Sequence, residues 1–572
     1  MTSLRIFTII ALSLLFEMLS HAQDFPSWSW VKQSKGFLST GYALTVNKTK
    51  DVYLSCIYQD SVVSVEQYKF PNQGYADALI VKYDSCGNVT WTKSFGAEGE
   101  EFISSMVTDS YNNLYVAGVY TSLSLRIDNF IVKNIDMNYG YEVFIMKFNS
   151  NGKLMWVNTI NGKNTEGYPN IAINSKDELL VTGFTTSNAI FFGTDTLYNT
   201  SVGPARGDIY LINYSNEGRV IWSKIFGGPD YEDNPFIAID KLDNIYLTGY
   251  FTSKEFIVDS IKLTNKSVKN QAFLHFDVFL IKLDDNGNAI WGNSYGEDLD
   301  EYVNSITVDK LNNVYINGLF NSPKIKFDDS TYLLSRSNVW DNFTIKLNAE
   351  GSIDWEKVFV ANNTNAINGS IQVDELYNVY IAGHVYFPGI KVDSFQRTNN
   401  FGGGHEDVFL IKLDSNANLI WGTAIGSNSV ENIFDMKVLA NDELVITGHF
   451  ASDTLTIGNH TLLYESKGGF NYFIAKLGGP IKTSTHEEMI YNTLEIIPNP
   501  GNDLVRIMLP DKLVHERNLT LILNDLNGKQ INCSYYTDQG KLILDLTAMP
   551  QGCYIVTLVG SNERYVQKLI VN

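Results

Sequence analysis

The chain has 572 residues, with 63 acidic against 43 basic, for a formal charge of −20. A protein so acidic repels phosphate backbones and anionic lipid, which excludes nucleic acid and membrane surfaces as partners. Charged residues are only 19%, against 43 Gly, 32 Tyr and 32 Phe, a balance that predicts strands and tight turns rather than helical bundles.

Residues 1–22 carry one positive charge, Arg5, then the apolar run "IFTIIALSLLF" from Ile6 to Phe16 and the small-residue spacing Ser20-His21-Ala22. Such a run is too short to span a bilayer and has the form of a signal-peptide h-region. Elsewhere no stretch approaches ~18 consecutive apolar residues, so no membrane span is expected.

A repeat follows. Trp30, Trp91, Trp156, Trp222, Trp291, Trp355 and Trp421 are spaced by 61, 65, 66, 69, 64 and 66 residues. Six of them end a lead-in of the type "VFLIKLDDNGNAIW", and each is followed by a second motif such as "NLYVAG" or "NVYING". Self-similarity at one period marks an array, a solenoid or a propeller. Each unit reads as four strands; after Trp222 these are "AIDK", "DNIYLTGYF", "DVFLIKL" and "NAIWGNSYG". The third strand is almost continuously apolar, as when both faces of a sheet are covered. "DDNG" and "KLDN" supply the residues that hairpin turns require. These turns lack the alternating acids and distal Glu of a calcium loop.

The ends of the array complement each other. "SWSW" at Ser27–Trp30 lacks the strand before it, and "YFIAKL" at Tyr472–Leu477 lacks the tryptophan strand after it. Pairing them leaves no long bare edge, so the fold class expected over 23–477 is an all-β, seven-bladed β-propeller closed by exchange of N- and C-terminal strands.

Ten residues after the tryptophans stand Thr40, Glu101, Glu166, Glu232, Glu301, Asn365 and Glu431. The five glutamates fall where one blade crosses to the next, at one mouth of the central channel. They are therefore the candidate binding residues: clustered carboxylates there attract a cation or titrate high. The alternative is structural, each Glu accepting backbone N–H groups at the crossover, and repetition at the blade period favours that role. On the same face lie segments of roughly twenty residues, including "SKEFIVDSIKLTNKSVKNQAFLHF". They begin with an "IxVDS"-like hairpin and carry aromatics such as Phe387, Phe395 and Phe401. Variable loops on a rigid scaffold are where specificity resides.

Residues 478–492 read as a linker, and 493–572 as a small C-terminal β-sandwich. That last segment carries Pro498-Asn499-Pro500, then Asn527-Gly528-Lys529, then Gly552-Cys553-Tyr554, and ends in "QKLIVN". Cys56, Cys86, Cys533 and Cys553 form no CxxC pair, and whether Cys533 and Cys553 bond stays open.

The repeated units resemble the SBBP-type β-propeller repeats of bacterial secreted and surface proteins. The C-terminal segment resembles the type A sorting domain of the type IX secretion system of Bacteroidota, through Pro498, Asn499, Pro500, Gly528, Gly552 and Tyr554; Cys553 stands where that family often has Ile or Val. The resemblance implies passage across the outer membrane by the type IX machinery, followed by removal of the domain and surface attachment or release. HExxH, GxSxG, P-loop and GxGxxG motifs are lacking, and the eight histidines are scattered. The function expected is a non-catalytic surface or secreted binding protein with a glycan or protein ligand, no cofactor, and at most a cation at the channel mouth. The alternative is an extracellular lyase or hydrolase working through a carboxylate pair at that mouth.

Overall fold

The computed structural model describes residues 26–571 apart from 37, 136–139, 201–205, 268–274, 328–330, 336–339, 362–365, 387–388, 394, 399–405, 441, 465–468, 479–493, 500–502, 510–519, 526–530, 532, 539–540, 548 and 560–563. The signal peptide expected over 1–22 lies outside these residues, as does the expected linker except Gly478. Two compact units divide the chain, Met1–Lys482 and Thr483–Asn572. Every regular element among the described residues is a strand.

Among the described residues of the first unit, seven sheets share one antiparallel meander of four strands, one of them extended to six by the hairpin Gly389–Val392 and Phe395–Thr398. Their first strands are Ser39–Val46, Glu101–Thr108, Glu166–Ile173, Glu232–Ile239, Glu301–Val308, Ala366–Val373 and Glu431–Ala440, numbered here as sheets 1 to 7. Sheet 2, for example, continues with Leu114–Tyr120, Glu142–Phe148 and Leu154–Ile160. Sheet 7 takes its last strand from the other end of the repeat region: Trp28–Gln33 pairs with Asn471–Leu477, Val31 opposite Ala475 and Gln33 opposite Phe473. Each first strand contacts the first strand of the next sheet, and that of sheet 7 contacts that of sheet 1. Every sheet is itself open.

Six of the seven third strands, Asp77–Tyr83 and Asp277–Leu283 among them, are buried at every position because each sheet is covered on both faces; in Asp341–Leu347 Lys346 alone is partly exposed. The tryptophans join sheet to sheet. Trp91 donates from Nε1 to Ser150 O at 3.2 Å, Trp156 to Asn216 O at 3.1 Å and Trp291 to Ala349 O at 3.1 Å. The turn they reach holds a glycine with positive φ, as at Gly152 (78°), where a Cβ would lie 2.8 Å from the Trp91 ring. The motif's glycine thus serves two ends, a left-handed turn and room for an indole. The inner hairpins close on Asx turns: Asp109 Oδ1 accepts from Tyr111 N at 2.9 Å and Asn113 N at 2.8 Å.

The structure corrects one expectation. The first strand of sheet 4 spans Glu232–Ile239, not the short "AIDK" beginning at Ala238. An extra residue between Asp233 and Phe236 breaks its alternation and hides it from a period-two reading. The long segments do begin with the expected hairpin. Each contains a two-stranded hairpin, such as Glu255–Val258 with Ile261–Thr264, whose inward residues Phe256 and Val258 are buried. Bridges such as Asn161–Phe191, Gly227–Ile257 and Gly296–Lys326 tie these hairpins to the outer strand of the preceding sheet, covering an otherwise bare edge. The first and third positions of the "IxVDS" signature are therefore core, as are Ile390 and Val392. Phe395 packs over Gly422, while Phe387 and Phe401 lie outside the described residues.

The second unit has two sheets, Glu495–Ile497, Leu504–Met508, Lys541–Asp545 and Ser534–Asp538 in one, Thr520–Asp525, Gly552–Val559 and Arg564–Val571 in the other. Val505, Ile507, Leu544, Val556, Leu558 and Leu569 form their common core.

Candidate functional site

The first residue of five first strands is a glutamate, and all five are fully buried. Four of them tie down the chain that enters their sheet. Glu101 Oε2 accepts from Ala97 N at 2.8 Å, Glu232 Oε2 from Gly228 N at 2.8 Å, and Glu431 Oε2 from Ser427 N at 2.9 Å. Glu301 accepts from Glu297 N at 3.3 Å. Twenty-one residues on stands a serine, Ser122, Ser187, Ser253, Ser322 or Ser452. Ser122 donates to Glu101 and accepts from Gly99 N at 2.8 Å; Ser452 donates to Glu431 and accepts from Ser429 N at 3.0 Å. Glu166 accepts instead from Thr185 Oγ1 at 3.0 Å, while Ser187 takes the N–H groups of Lys163 and Asn164.

Burial raises these carboxyls, against the lowering effect of the serine and backbone donors: Glu101 and Glu431 to about 7, Glu232 to about 8, Glu301 to about 9. The pattern breaks in sheets 1 and 6. Thr40 Oγ1 lies 3.2 Å from His449 Nδ1, and burial, with His384 beside it, pushes His449 down to about 3. Asn365 lies outside the described residues. Sequence reading missed the serine partners, although they recur in "YTSL", "FTSK" and "FNSP". It also missed a second series of buried acids opening the third strands, among them Asp77, Glu142, Asp208 and Asp277. Burial raises Asp277 to about 7, the largest influence on it.

A cavity of about 930 Å³ is lined by residues of all seven first strands, and none of the five glutamates lines it. Its wall is set by an irregularity common to all seven strands. Pairing with the second strand skips between Gly41 and Leu44, Ile103 and Ser105, Gly167 and Asn170, Asp233 and Phe236, Val303 and Ser305, Asn368 and Ser370, and Ile433 and Asp435. Each strand thus carries an extra residue at this level, a β-bulge. The second-strand glycine permits it: a Cβ on Gly118 or Gly318 would sit 2.1 Å from the carbonyl oxygen of Phe102 or Tyr302. In sheet 1 the glycine is on the other strand, Gly41 opposite Cys56.

The extruded residues, Tyr42, Ser104, Tyr168, Asn234, Asn304, Gly369 and Phe434, all line the cavity. Sheets 7 to 3 give it an aromatic side. Tyr42 meets Phe102 at 4.3 Å edge-on and Phe434 at 4.7 Å, and Phe102 meets Tyr168 at 6.0 Å. Burial raises Tyr42, with Tyr168 and Glu100 adding to the effect. Glu100 accepts from Tyr141 Oη at 2.9 Å. Sheets 4 to 6 give it amides and hydroxyls, Asn234, Asn304, Ser305, Ser370 and Gln372. Asp435 and Lys437 pair at 3.0 Å, with Asp435 also accepting from Leu44 N at 2.8 Å.

In the second unit Asn499 Oδ1 accepts from Ile570 N at 2.9 Å, and buried Tyr554 donates to Pro550 O at 2.8 Å. Pro498 is exposed, and Gly552 opens its strand. Pro500 and Gly528 lie outside the described residues. Cys533 is a free thiol that donates to Asp545 O at 3.1 Å.

Residues 495–572 match the secretion system C-terminal sorting domain, and residues 221–256 match the SBBP β-propeller repeat. An uncharacterised WD repeat-containing protein of Acanthamoeba polyphaga mimivirus is 26% identical over 372 residues, covering 55% of this chain and 26% of that protein. This chain thus spans about a quarter of that relative's length. Among solved structures, the Pan2 WD40 domain of Neurospora crassa is 9% identical with a TM-score of 0.37, over 80% of this chain and 99% of that one. The polysaccharide lyase Uly1 is 10% identical with a TM-score of 0.39, over 77% and 90%. The chain is therefore a secreted or cell-surface protein that carries a β-propeller repeat and a type IX sorting domain. No helix among the described residues is long and apolar enough to cross a membrane.

Proposed function

We propose that the first unit is a seven-bladed propeller, closed by insertion of Trp28–Gln33 into the last blade, and that it is a non-catalytic binding module displayed or released by a bacterium with a type IX secretion system. In this reading 1–22 is the signal peptide, 23–477 the propeller, 478–492 the linker and 493–572 the sorting domain. The secretion machinery is the partner of that domain, and an extracellular glycan or protein is the partner of the propeller. The observation that carries the binding role is the cavity of about 930 Å³ bounded by all seven first strands, at the upper end of ligand-pocket sizes. The five glutamates support it indirectly, since four of them hold the chain entering their sheets and none lines the wall, which is left to residues that differ from sheet to sheet.

Export and binding are tested together in a host with type IX secretion. The full chain should reach the surface or medium, and a chain ending at Lys482 should fold yet remain periplasmic. Exported protein should retain extracellular matrix components from that host and leave them uncleaved. Bond cleavage in the retained material, or export without the C-terminal unit, overturns the reading.

A further inference from the structure

Seven bulges at one level of the wall share a backbone but not a side chain. In order they present Tyr42, Ser104, Tyr168, Asn234, Asn304, Gly369 and Phe434. Where a position serves only the fold, the repeat keeps its residue, as with the crossover glutamates and the second-strand glycines. Here the scaffold is held constant and the chemistry varies, which is how a bulge re-aims side chains at a ligand.

The variation is also sorted in space. Phe434, Tyr42, Phe102 and Tyr168 form an arc of rings in contact, with Tyr168 left half exposed. Across the cavity stand Asn234, Asn304, Ser370 and Gln372, which offer both donors and acceptors. One wall is suited to apolar C–H faces and the other to a dense set of hydroxyls, and a pyranose presents those two surfaces together. Charge narrows the class. The wall contributes the carboxylates of Glu100 and Asp435 against the single ammonium of Lys437, in a protein of net charge −20. A polyanionic sugar or an acidic peptide meets repulsion there.

Resting on the binding role set out above, the geometry points to a neutral oligosaccharide as the ligand of this cavity, stacked on Tyr168 and Tyr42 and read by Asn304 and its neighbours from the opposite side. The full exported chain is titrated calorimetrically with gluco-, xylo- and manno-oligosaccharides, with oligogalacturonate, and with a pool of short unstructured peptides. At least one neutral series should bind, and oligogalacturonate and peptides should not. Tyr168→Ala should weaken binding at least tenfold and Asn304→Ala at least threefold. Tyr111→Ala, at an exposed inner-hairpin turn that does not line the cavity, should change nothing. Unchanged Tm values for the three variants show that losses are not unfolding. Preference for oligogalacturonate or peptide, neutral-sugar binding indifferent to Tyr168→Ala, or failure of every neutral series would each overturn the assignment. Peptide binding would do so while leaving the broader binding role intact.

Discussion

A buried carboxylate facing a serine and one or two backbone N–H groups stabilises the crossover, and its protonation state sets how strongly. Glu101, Glu232, Glu301 and Glu431 all titrate above the ordinary glutamate value of about 4.3 because burial disfavours their charged forms. Between that value and their folded pKa the native chain binds more protons than the unfolded one, so stability falls as pH rises. The contribution is complete below about pH 4. It is lost through pH 7 for Glu101 and Glu431, pH 8 for Glu232 and pH 9 for Glu301. Melting curves of the full chain should therefore give a higher transition temperature at pH 5 than at pH 9 for the first unit. Glu301→Gln, which keeps the shape of the neutral acid, should flatten the alkaline part of that slope. A transition that rises between pH 5 and pH 9 would contradict the assignment. The glutamate period was legible in the sequence. Its partner was not, because a serine twenty-one residues on joins it only after the first two strands have paired.

For the strands, the sequence was most readable where alternation or continuity of apolar residues is unbroken. "DVFLIKL" announced a strand covered on both faces, and Asp277–Leu283 is buried at every position. The first strands were least readable because every one carries an extra residue, so their two halves present opposite parity to the core. The trace they left was the recurrent glycine of "NVYING" and "NLYVAG", visible as a motif but without a reason until a partner backbone was seen against it. The consequence is specific. Gly318→Ala places a methyl 2.1 Å from Tyr302 O, a backbone atom held by its own ladder, so the bulge must flatten or the strands separate. Overpacking of this kind costs about 1–3 kcal/mol. Urea denaturation of the variant should show a lower midpoint by a corresponding amount at unchanged slope. A variant as stable as the parent would mean the glycine is not what admits the extra residue.

In the whole molecule, one strand decides whether the seven sheets form a ring or a stack. Trp28–Gln33 covers the edge of Asn471–Leu477, Lys476 Nζ reaches Ser85 O at 3.2 Å, and Tyr83 and Tyr472 share a hydrogen bond at 3.1 Å between hydroxyls. Sheet 7 thereby touches sheet 1 through groups almost 400 positions apart in the chain, which local pattern alone could not show but the complementary ends of the array implied. In a closed ring a cut anywhere weakens the whole, since each sheet's apolar faces are buried only against both neighbours. A chain in which residues 1–22 are followed directly by Ser34 should expose the edge of Asn471–Leu477 and melt at least ten degrees lower, with a broader transition. A synthetic peptide spanning Phe25–Lys35 should restore the sharp transition in trans, because the missing strand makes only non-covalent pairings. An open stack predicts otherwise: loss of a terminal strand would fray sheet 7 alone, leave the main transition in place, and give the peptide nothing to restore.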